Sequence, residues 1–263
     1  MLTEFKSGDF KMQSVERIVR IIGSFSLSEP RLGLDDLTKK SGLPKATVYR
    51  ISEALCEEHV LEKDAITSTY RIGIKLFELG SLYLSSMRIK DIAFGEMEKL
   101  HLETGETIHM GILDGTEVVS IEGFESSRSL HTKLFIGKRA PLYCTAVGKA
   151  ILAFLPESDR EKLLESLELT RHTSNTITNK DSLRDELERV RSRGAAIDRG
   201  ENEDGVVCVG APIFDSSREV VASISISGPV FRMGEEVLIQ YSRMLKEVVE
   251  RISATQGYRS QEP

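Results

Sequence analysis

LGLDDLTKKSGLPKATVYRISEALCEEHVLEKDAITSTYRI, residues 32–72, carries the strongest structural signal in this chain of 263 residues. Its pattern predicts an amphipathic helix, a tight break at Ser41 and Gly42, a second helix with Pro44 at its first position, and a short two-stranded ribbon. This succession of elements is typical of a winged helix-turn-helix, a fold that binds double-stranded DNA.

The second predicted helix, residues 44–55, has two different faces. Val48, Ile51 and Leu55 recur at helical spacing and are expected to be buried. The opposite face carries small and hydrogen-bonding side chains at its start, which suit a helix that enters a DNA major groove roughly 12 Å wide. The candidate DNA-contacting residues are Lys39, Lys45, Thr47, Tyr49 and Arg50.

The charge pattern supports contact with phosphate. Between Leu37 and Ser52 the chain has cations and no acid, although its formal net charge is -6. Residues 1–90 hold 14 Lys and Arg against 12 Asp and Glu, whereas the remaining residues hold 21 against 29. We expect DNA at the basic end and not at the acidic end. A solvated charged face on an ordinary helical hairpin is the alternative reading of this pattern.

The composition excludes several classes of protein. The chain is 40% hydrophobic and 29% charged, which is normal for a soluble globular protein. It has neither an apolar run of about 18 residues nor the apolar core of a signal peptide, so a cytoplasmic protein without a membrane partner is expected. Cys56, Cys144 and Cys208 form no C-x-x-C pair, and the histidines lack ligand spacing to them. No disulfide, metal site or cofactor is predicted.

Two helical regions flank the predicted winged helix-turn-helix. Residues 13–25 are expected to form a supporting helix with Ser14 as its N-cap and an apolar stripe of Val15, Ile18, Val19 and Ile22. After the ribbon, residues 74–87 and 91–104 predict two more helices. The first of these is apolar over more than one narrow stripe, which indicates a linker helix that also contributes to a dimer contact.

The rest of the chain alternates strand and helix patterns. Strands are predicted at 107–113, 118–122, 130–135, 195–198, 206–214 and 220–227, with an Asp114-Gly115 hairpin turn between the first two. Helices are predicted at 145–155, 158–165, 180–193, where Gly194 ends the helix, and 235–252. Antiparallel strands framed by helices predict an α+β fold.

Tests for enzyme motifs in this second part fail, so no catalytic residue is predicted. Gly148-Lys149 lacks the remaining residues of a phosphate-binding loop, which needs a glycine where Tyr143 stands. Cys208 lies in an apolar run without a neighbouring histidine, and a buried structural or ligand-lining role is expected. The acidic cluster does not fit a calcium loop and is expected to be a solvated turn; it comprises Asp198, Glu201, Glu203 and Asp204.

Several segments together resemble the IclR family of bacterial transcriptional regulators. They are QSVERIVRII, LPKATVYR, YRIGIKLFELG, PLYCTAVGKAILAFL and AIDRGENEDGVVCVGAPIFD followed by VVASISISGP. The resemblance extends from about residue 13 to 258. GETIHMGILDG, PLYCTAVGK and ERISATQGY are most similar to the branch that contains the repressor of pectin and 2-keto-3-deoxygluconate catabolism.

The resemblance implies a winged helix-turn-helix at residues 10–73, a linker helix at 74–90 and a GAF-like effector-binding domain at 91–258. The residues themselves predict a disordered tail at 259–263. It also implies assembly as a homodimer or homotetramer. The effector would be a small carboxylate such as a keto or sugar acid, held by backbone N–H groups at a helix N-terminus. The implied effector-binding residues are Ala140, Ala146, Val147, Asp198, Val206, Cys208, Ser225 and Ser227.

The expected function is therefore that of a ligand-responsive, DNA-binding transcriptional regulator, a repressor of a catabolic operon. Two alternatives come from other functional classes. One is a metabolite-processing enzyme with an accessory helix-turn-helix, and the lack of a nucleophile–base pair in the sequence weighs against it. The other is an architectural DNA-binding protein without a ligand, against which the large acidic second part weighs.

Overall fold

A computed structural model describes residues 13–259 of the chain. Residues 10–12 of the expected DNA-binding domain and 260–263 of the expected tail lie outside this range. The chain divides into two compact units between Ser86 and Met87. No helix in the described range is long and apolar enough to cross a membrane.

The first unit combines helices with a small antiparallel sheet. Its elements are α1 Gln13–Ile22, β1 Arg31–Leu32, α2 Leu34–Ser41, α3 Lys45–Glu57, β2 Leu61–Lys63, β3 Tyr70–Ile72 and α4 Ile74–Ser85. The sheet has the order β1-β3-β2. The predicted two-stranded ribbon was therefore incomplete, because Arg31 and Leu32 pair with Arg71 and Tyr70 to add a third strand. The winged helix-turn-helix itself is confirmed.

The break between α2 and α3 lies at Ser41 and Gly42, where the sequence predicted it. Gly42 adopts a φ of +67° at the end of α2, and its N–H bonds to the carbonyl of Thr38. Glycine adopts this left-handed conformation without the steric cost that a Cβ imposes. Pro44 is the N-cap of α3 and not its first helical residue, so that prediction was wrong by one position.

The hydrophobic core of the first unit contains residues from α1, α2, α3 and the small sheet. Leu37 of α2 and Val48 of α3 are fully buried with Ile21 of α1, next to Leu61 and Tyr70 of the sheet. The prediction for α1 was partly wrong. Its buried residue is Ile21, with Ile18 and Ile22 partly buried, whereas Val15 and Val19 are exposed. Ser14 lies inside α1 and is not its N-cap, and the helix ends before Phe25.

The second unit contains a six-stranded antiparallel sheet with helices packed against it. Its elements are α5 Arg88–Thr104, β4 Thr107–Asp114, β5 Glu117–Phe124, β6 Arg139–Pro141, α6 Ala146–Phe154, α7 Glu157–Ser166, α8 Lys180–Arg193, β7 Ala196–Arg199, β8 Val206–Phe214, β9 Val220–Pro229, a 3-10 turn Val230–Arg232 and α9 Glu235–Thr255. The strand order is β6-β5-β4-β9-β8-β7. This arrangement confirms the predicted α+β class.

Two local predictions in this unit were wrong. Asp114 pairs with Glu117, so the two-residue turn of the hairpin is Gly115 and Thr116, one position later than expected. Residues 130–135 form no strand. They belong to a long connection between β5 and β6, residues 125–138, which we call the β5–β6 loop.

Candidate functional sites

The first candidate site is the exposed face of α3. Lys45, Tyr49 and Arg50 are exposed, and Thr47 is half-buried. Lys39, at the end of α2, is also exposed. Val48 and Leu55 hold the opposite face in the core. The five predicted DNA-contacting residues therefore all reach the solvent-facing surface of α2 and α3.

The positive charge of this surface is partly neutralised by acids that lie before Leu37 in the sequence. Lys45 Nζ lies 2.5 Å from a carboxylate oxygen of Asp35, and Lys40 Nζ lies at the same distance from Glu29. Lys39 and Arg50 have no carboxylate within 4 Å among residues 13–259. These two cations are consequently the ones most available to an external phosphate.

A polar contact connects α3 to the wing strands. Glu53 Oε1 accepts hydrogen bonds from Lys63 Nζ at 2.7 Å and from the Tyr70 hydroxyl at 2.6 Å. The bond from Lys63, together with that from Tyr70, lowers the pKa of Glu53. The ammonium group of Lys63 also lies 5.4 Å from the ring centre of Tyr49. Glu53 is thus engaged in positioning the wing and is not free to face DNA.

The second candidate site is a cavity of about 120 Å³ in the second unit, between the sheet and the start of α6. Strand register explains why distant residues meet there. Asp198 on β7 pairs with Cys208 on β8, which pairs with Ser227 on β9. All eight effector-binding residues implied by the resemblance line this cavity: Ala140, Ala146, Val147, Asp198, Val206, Cys208, Ser225 and Ser227.

The start of α6 offers donors to this cavity. Thr145 is the N-cap, and its hydroxyl oxygen accepts from the Gly148 N–H at 3.1 Å while donating to the Pro141 carbonyl. The N–H groups of Ala146 and Val147 have no acceptor in the described part of the chain. Unpaired N–H groups at a helix N-terminus attract anions, and the helix dipole adds to this attraction.

Two glycines allow α6 to approach the sheet this closely. A Cβ built on Gly210 of β8 would lie 2.5 Å from the Ala146 carbonyl oxygen. A Cβ on Gly111 of β4 would clash with Val118 and lie 3.0 Å from Val147 Cγ1. Because both positions lack a side chain, the N-terminus of α6 rests directly on the backbone of β4 and β8.

Burial changes the protonation of the ionisable groups in the cavity. Asp198 is almost completely buried, and its desolvation raises the pKa of its carboxyl to about 7. Its Oδ1 accepts the Glu201 N–H at 2.7 Å. Burial also raises the pKa of the Cys208 thiol, with the Asp198 charge as the second cause. Cys208 is therefore a neutral thiol in the wall and not an activated nucleophile.

The acidic cluster beside the cavity is not the solvated turn that was expected. Glu203 and Asp204 are exposed, but Asp198 and Glu201 are buried. Glu201 receives a hydrogen bond from Lys149, a lysine of α6 that is fully buried. Because a buried charge is stable only when it is paired, this segment is fixed to α6 by an internal ion pair.

The cavity also contains residues that the sequence analysis did not identify. His109 on β4 pairs with Ser225 on β9 and so shares its face, a relation that only the strand order reveals. Its burial lowers the pKa of its imidazole to about 4. The further lining residues are Met110, Gly111, Val118, Ser120, Thr132, Lys133, Phe135, Lys138, Thr145, Asn202 and Glu203. No local pattern marks the loop residues among them.

No group of three or more His, Cys, Asp or Glu side chains within residues 13–259 could hold a metal ion. The chemistry available at the cavity is therefore anion binding at a helix start, with hydroxyl, imidazole and carboxyl groups around it.

Comparison with known proteins extends over both units. Residues 14–65 match the family described as "IclR helix-turn-helix domain", and residues 81–254 match "Bacterial transcriptional regulator IclR C-terminal". The chain is 35% identical over 252 residues to the HTH-type transcriptional regulator KdgR of Escherichia coli (strain K12), covering 95% of this chain and 96% of that protein. The regulator XynR of the same strain is 33% identical, with 94% and 98% covered. The crystal structure of Thermotoga maritima IclR superposes with a TM-score of 0.74 at 36% identity, covering 94% of this chain and 98% of that one.

Proposed function

Since this chain belongs to the IclR family of bacterial transcriptional regulators, and is not an enzyme, we propose that it represses a catabolic operon under the control of a small carboxylate metabolite. The winged helix-turn-helix would bind operator DNA, and the cavity of the second unit would bind the metabolite. The main support for the proposal is that the eight implied effector-binding residues, which come from different parts of the sequence, line one cavity at the N-terminus of α6.

The DNA contact is assigned to the exposed face of α3. A recognition helix places its N-terminal residues against base edges, while cations beside it bind phosphates. Arg50 is exposed and lacks an internal carboxylate partner, so it suits bidentate recognition of guanine. Lys39 lies at the end of the preceding helix and suits a phosphate. Lys45, Thr47 and Tyr49 complete the proposed surface.

The metabolite is assigned by its chemistry. A carboxylate would accept hydrogen bonds from the N–H groups of Ala146 and Val147. Hydroxyl groups of the same molecule would bond to Ser225, Ser227 and the carboxyl of Asp198, which at a pKa of about 7 is partly protonated and in that form can donate as well as accept. A keto or sugar acid has these groups, and a purely apolar ligand would leave the buried partners unsatisfied at a cost of about 1–3 kcal/mol each.

Assembly and location complete the proposal. None of the residues of α4 is buried within its own unit, and Phe77, Leu82 and Tyr83 on this helix are exposed. Contiguous exposed apolar surface of this kind marks a protein contact. We assign it to a homodimer, or a pair of homodimers, because two symmetric helix-turn-helix units read two half-sites. The proposed location is the cytoplasm, where the chromosome lies.

The test is operator binding by the full-length protein, measured by fluorescence anisotropy on its own promoter DNA with pyruvate, 2-oxobutyrate, gluconate or 2-keto-3-deoxygluconate added. An effector should shift DNA affinity roughly 5- to 150-fold. Ser227→Leu should abolish this response and preserve effector-free DNA binding, whereas Ser192→Leu on the exposed side of α8 should change neither. If no acid gives heat in calorimetry or a shift in thermal stability, the proposed effector site is wrong.

A further inference from the structure

We propose that the effector carries a second anionic group, which binds beneath the β5–β6 loop between Lys133, Lys138 and the hydroxyl groups of Ser120 and Thr132. This inference rests on the proposed effector site and specifies the class of acid that it takes. The first carboxylate would occupy the N-terminus of α6. The second anion would occupy the opposite end of the same cavity.

Two unsatisfied hydroxyl groups mark this end of the cavity. Ser120 Oγ on β5 and Thr132 Oγ1 in the β5–β6 loop are both buried from solvent and have no hydrogen-bond partner in the described part of the chain. Both residues line the cavity. A buried hydroxyl without a partner is costly, so such groups usually have a ligand or water that completes them. Two such groups in the lining of one cavity indicate that a polar ligand group belongs beside them.

Two lysines give this polar end its charge. Lys133 and Lys138 line the cavity, and neither has a carboxylate within 4 Å among residues 13–259, although ion pairs are frequent elsewhere in this unit. Glu125 lies near Lys133, but it is held by the His131 ring at 2.8 Å and the Leu134 N–H at 3.0 Å. The two ammonium groups are therefore available to an anion.

The remaining ionisable groups do not oppose a second anion at this position. His109 faces the cavity as a neutral imidazole at physiological pH, because burial and, as a smaller cause, the charge of Lys138 together lower its pKa to about 4. A neutral imidazole can donate one hydrogen bond. The carboxylates of the cavity, Asp198 and Glu203, come from β7 and the β7–β8 connection, across the sheet from β5.

Strand register sets the separation of the two anions. Val147, at the α6 start, lies against Gly111 of β4, and Gly111 pairs with Ser120 on the neighbouring strand β5. Neighbouring strands are about 4.8 Å apart, which places the two anion positions about 5–10 Å from each other. A chain of a few carbon atoms between the two charged groups bridges this distance. The ligand class is thus a short organic acid that ends in a second carboxylate or in a phosphate ester.

The experiment compares matched pairs of acids by titration calorimetry with the full-length protein. 2-Oxoglutarate is compared with 2-oxopentanoate, which has the same carbon chain without the second carboxylate, and 3-phosphoglycerate is compared with glycerate. In at least one pair the acid with the second anionic group should bind more tightly by about tenfold or more, as expected for charge-assisted contacts with two ammonium groups. The pair with the larger ratio identifies the second group as carboxylate or phosphate.

Variants test whether the preference for the acid with two anionic groups comes from the residues beneath the β5–β6 loop. Lys133→Met with Lys138→Met should reduce the dianion-to-monoanion affinity ratio to about one, since only the dianion uses both ammonium groups. Thr132→Val should reduce the ratio in part. Lys162→Met, an exposed lysine of α7 paired with Asp159, is the matched control and should keep the ratio of the unchanged protein.

The two proposals fail in different ways. Equal binding of dianion and monoanion in both pairs, or a double lysine variant that keeps the full ratio, would overturn the second anion site and leave the effector site intact. If none of these four acids binds but one of the acids used in the operator-binding test does, the second anion site is wrong and the effector site stands; if no acid of either set binds, both are wrong.

Discussion

Lys149 Nζ lies 2.5 Å from Glu201 Oε1, with 0% of the lysine side chain and 8% of the glutamate side chain exposed. The same ammonium donates to the Ile197 carbonyl at 2.7 Å and lies 3.4 Å from Glu186. Glu201 in turn donates its backbone N–H to Asp198 in the cavity wall. A buried ion pair therefore connects α6, whose start is the proposed anion site, to the acidic side of the cavity.

This pair predicts a large stability loss when one partner is removed. Lys149→Met should lower the free energy of unfolding by about 3–5 kcal/mol, because the buried Glu201 would lose its partner and would have to stay charged alone or take up a proton. Lys149→Met combined with Glu201→Gln should recover part of that loss, and Lys162→Met should change stability by less than about 0.5 kcal/mol. Urea unfolding measures all three. A loss below about 1 kcal/mol for Lys149→Met would contradict the pairing.

The pKa of Asp198 predicts how stability depends on pH. Its carboxyl titrates at about 7 in the folded chain, against an ordinary value of 3.8. Between these values the folded state keeps a proton that the unfolded state has lost, so stability falls as pH rises from about 4 to about 7. Asp198→Asn keeps the oxygen that accepts the Glu201 N–H and cannot ionise. It should be more stable than the original chain at pH 8, by up to about 4 kcal/mol, and about equal to it at pH 4.

Thermal unfolding across this pH range measures the effect of Asp198→Asn. Asp204→Asn is the matched control, since Asp204 is an exposed carboxylate of the same segment. A gain from Asp198→Asn that stays constant from pH 4 to pH 8 would refute ionisation as its cause.

The DNA surface predicts that removing a cation and removing an acid have opposite effects on DNA binding. Arg50→Ala should cost about 1–3 kcal/mol on the operator, and Lys39→Ala should weaken operator and random DNA alike while reducing the salt slope by about one. Asp35→Asn should strengthen binding to both DNAs, because it releases Lys45 from its ion pair. Anisotropy titrations at several salt concentrations measure these changes. Unchanged binding by Asp35→Asn would mean that Lys45 contacts no phosphate.

The exposed face of α4 predicts the assembly state. Leu82→Asp should shift the protein toward monomer, because its side chain is 67% exposed in the isolated chain and would place a charge in the proposed contact. Ile66→Asp at the wing tip, where the side chain is 95% exposed, is the matched control. Sedimentation equilibrium at micromolar concentration measures both. A dimer that survives Leu82→Asp would place the contact elsewhere.

Sequence patterns predicted elements best where their signals are local. The bounds of α8 and β8 agree with the structure to the residue, since apolar spacing and the glycine that ends α8 define them. Strand β1 was missed because two residues, Arg31 and Leu32, become a strand only through pairing with β3. The buried face of α1 was misjudged because its valines and isoleucines suit either side, and tertiary packing selects Ile21.

The cavity residues, too, comprise some that a local pattern predicts and others that depend on the tertiary fold. Residues on strand β9 could be grouped from sequence because Ser225 and Ser227 are two apart and share a face. His109 and Ser120 could not, because their place depends on the order of strands β5, β4 and β9. Lys133 and Lys138 depend on the path of a loop without regular structure. The proposed second anion site is therefore formed by residues that come together only through the tertiary fold and that no local sequence pattern groups.

Gly111 and Gly210 have a consequence for attempts to redesign the cavity. Neither glycine has a positive φ, so backbone conformation alone would permit any side chain at either position. The constraint is steric: a methyl group would meet the Ala146 backbone of α6 at Gly210, and the side chains of Val118 and Val147 at Gly111. A library that aims to change ligand preference should therefore hold these two positions fixed and diversify the strand and loop side chains around them. An added carbon at Gly210 in particular would displace the start of the anion-binding helix and weaken the binding of every acid at once.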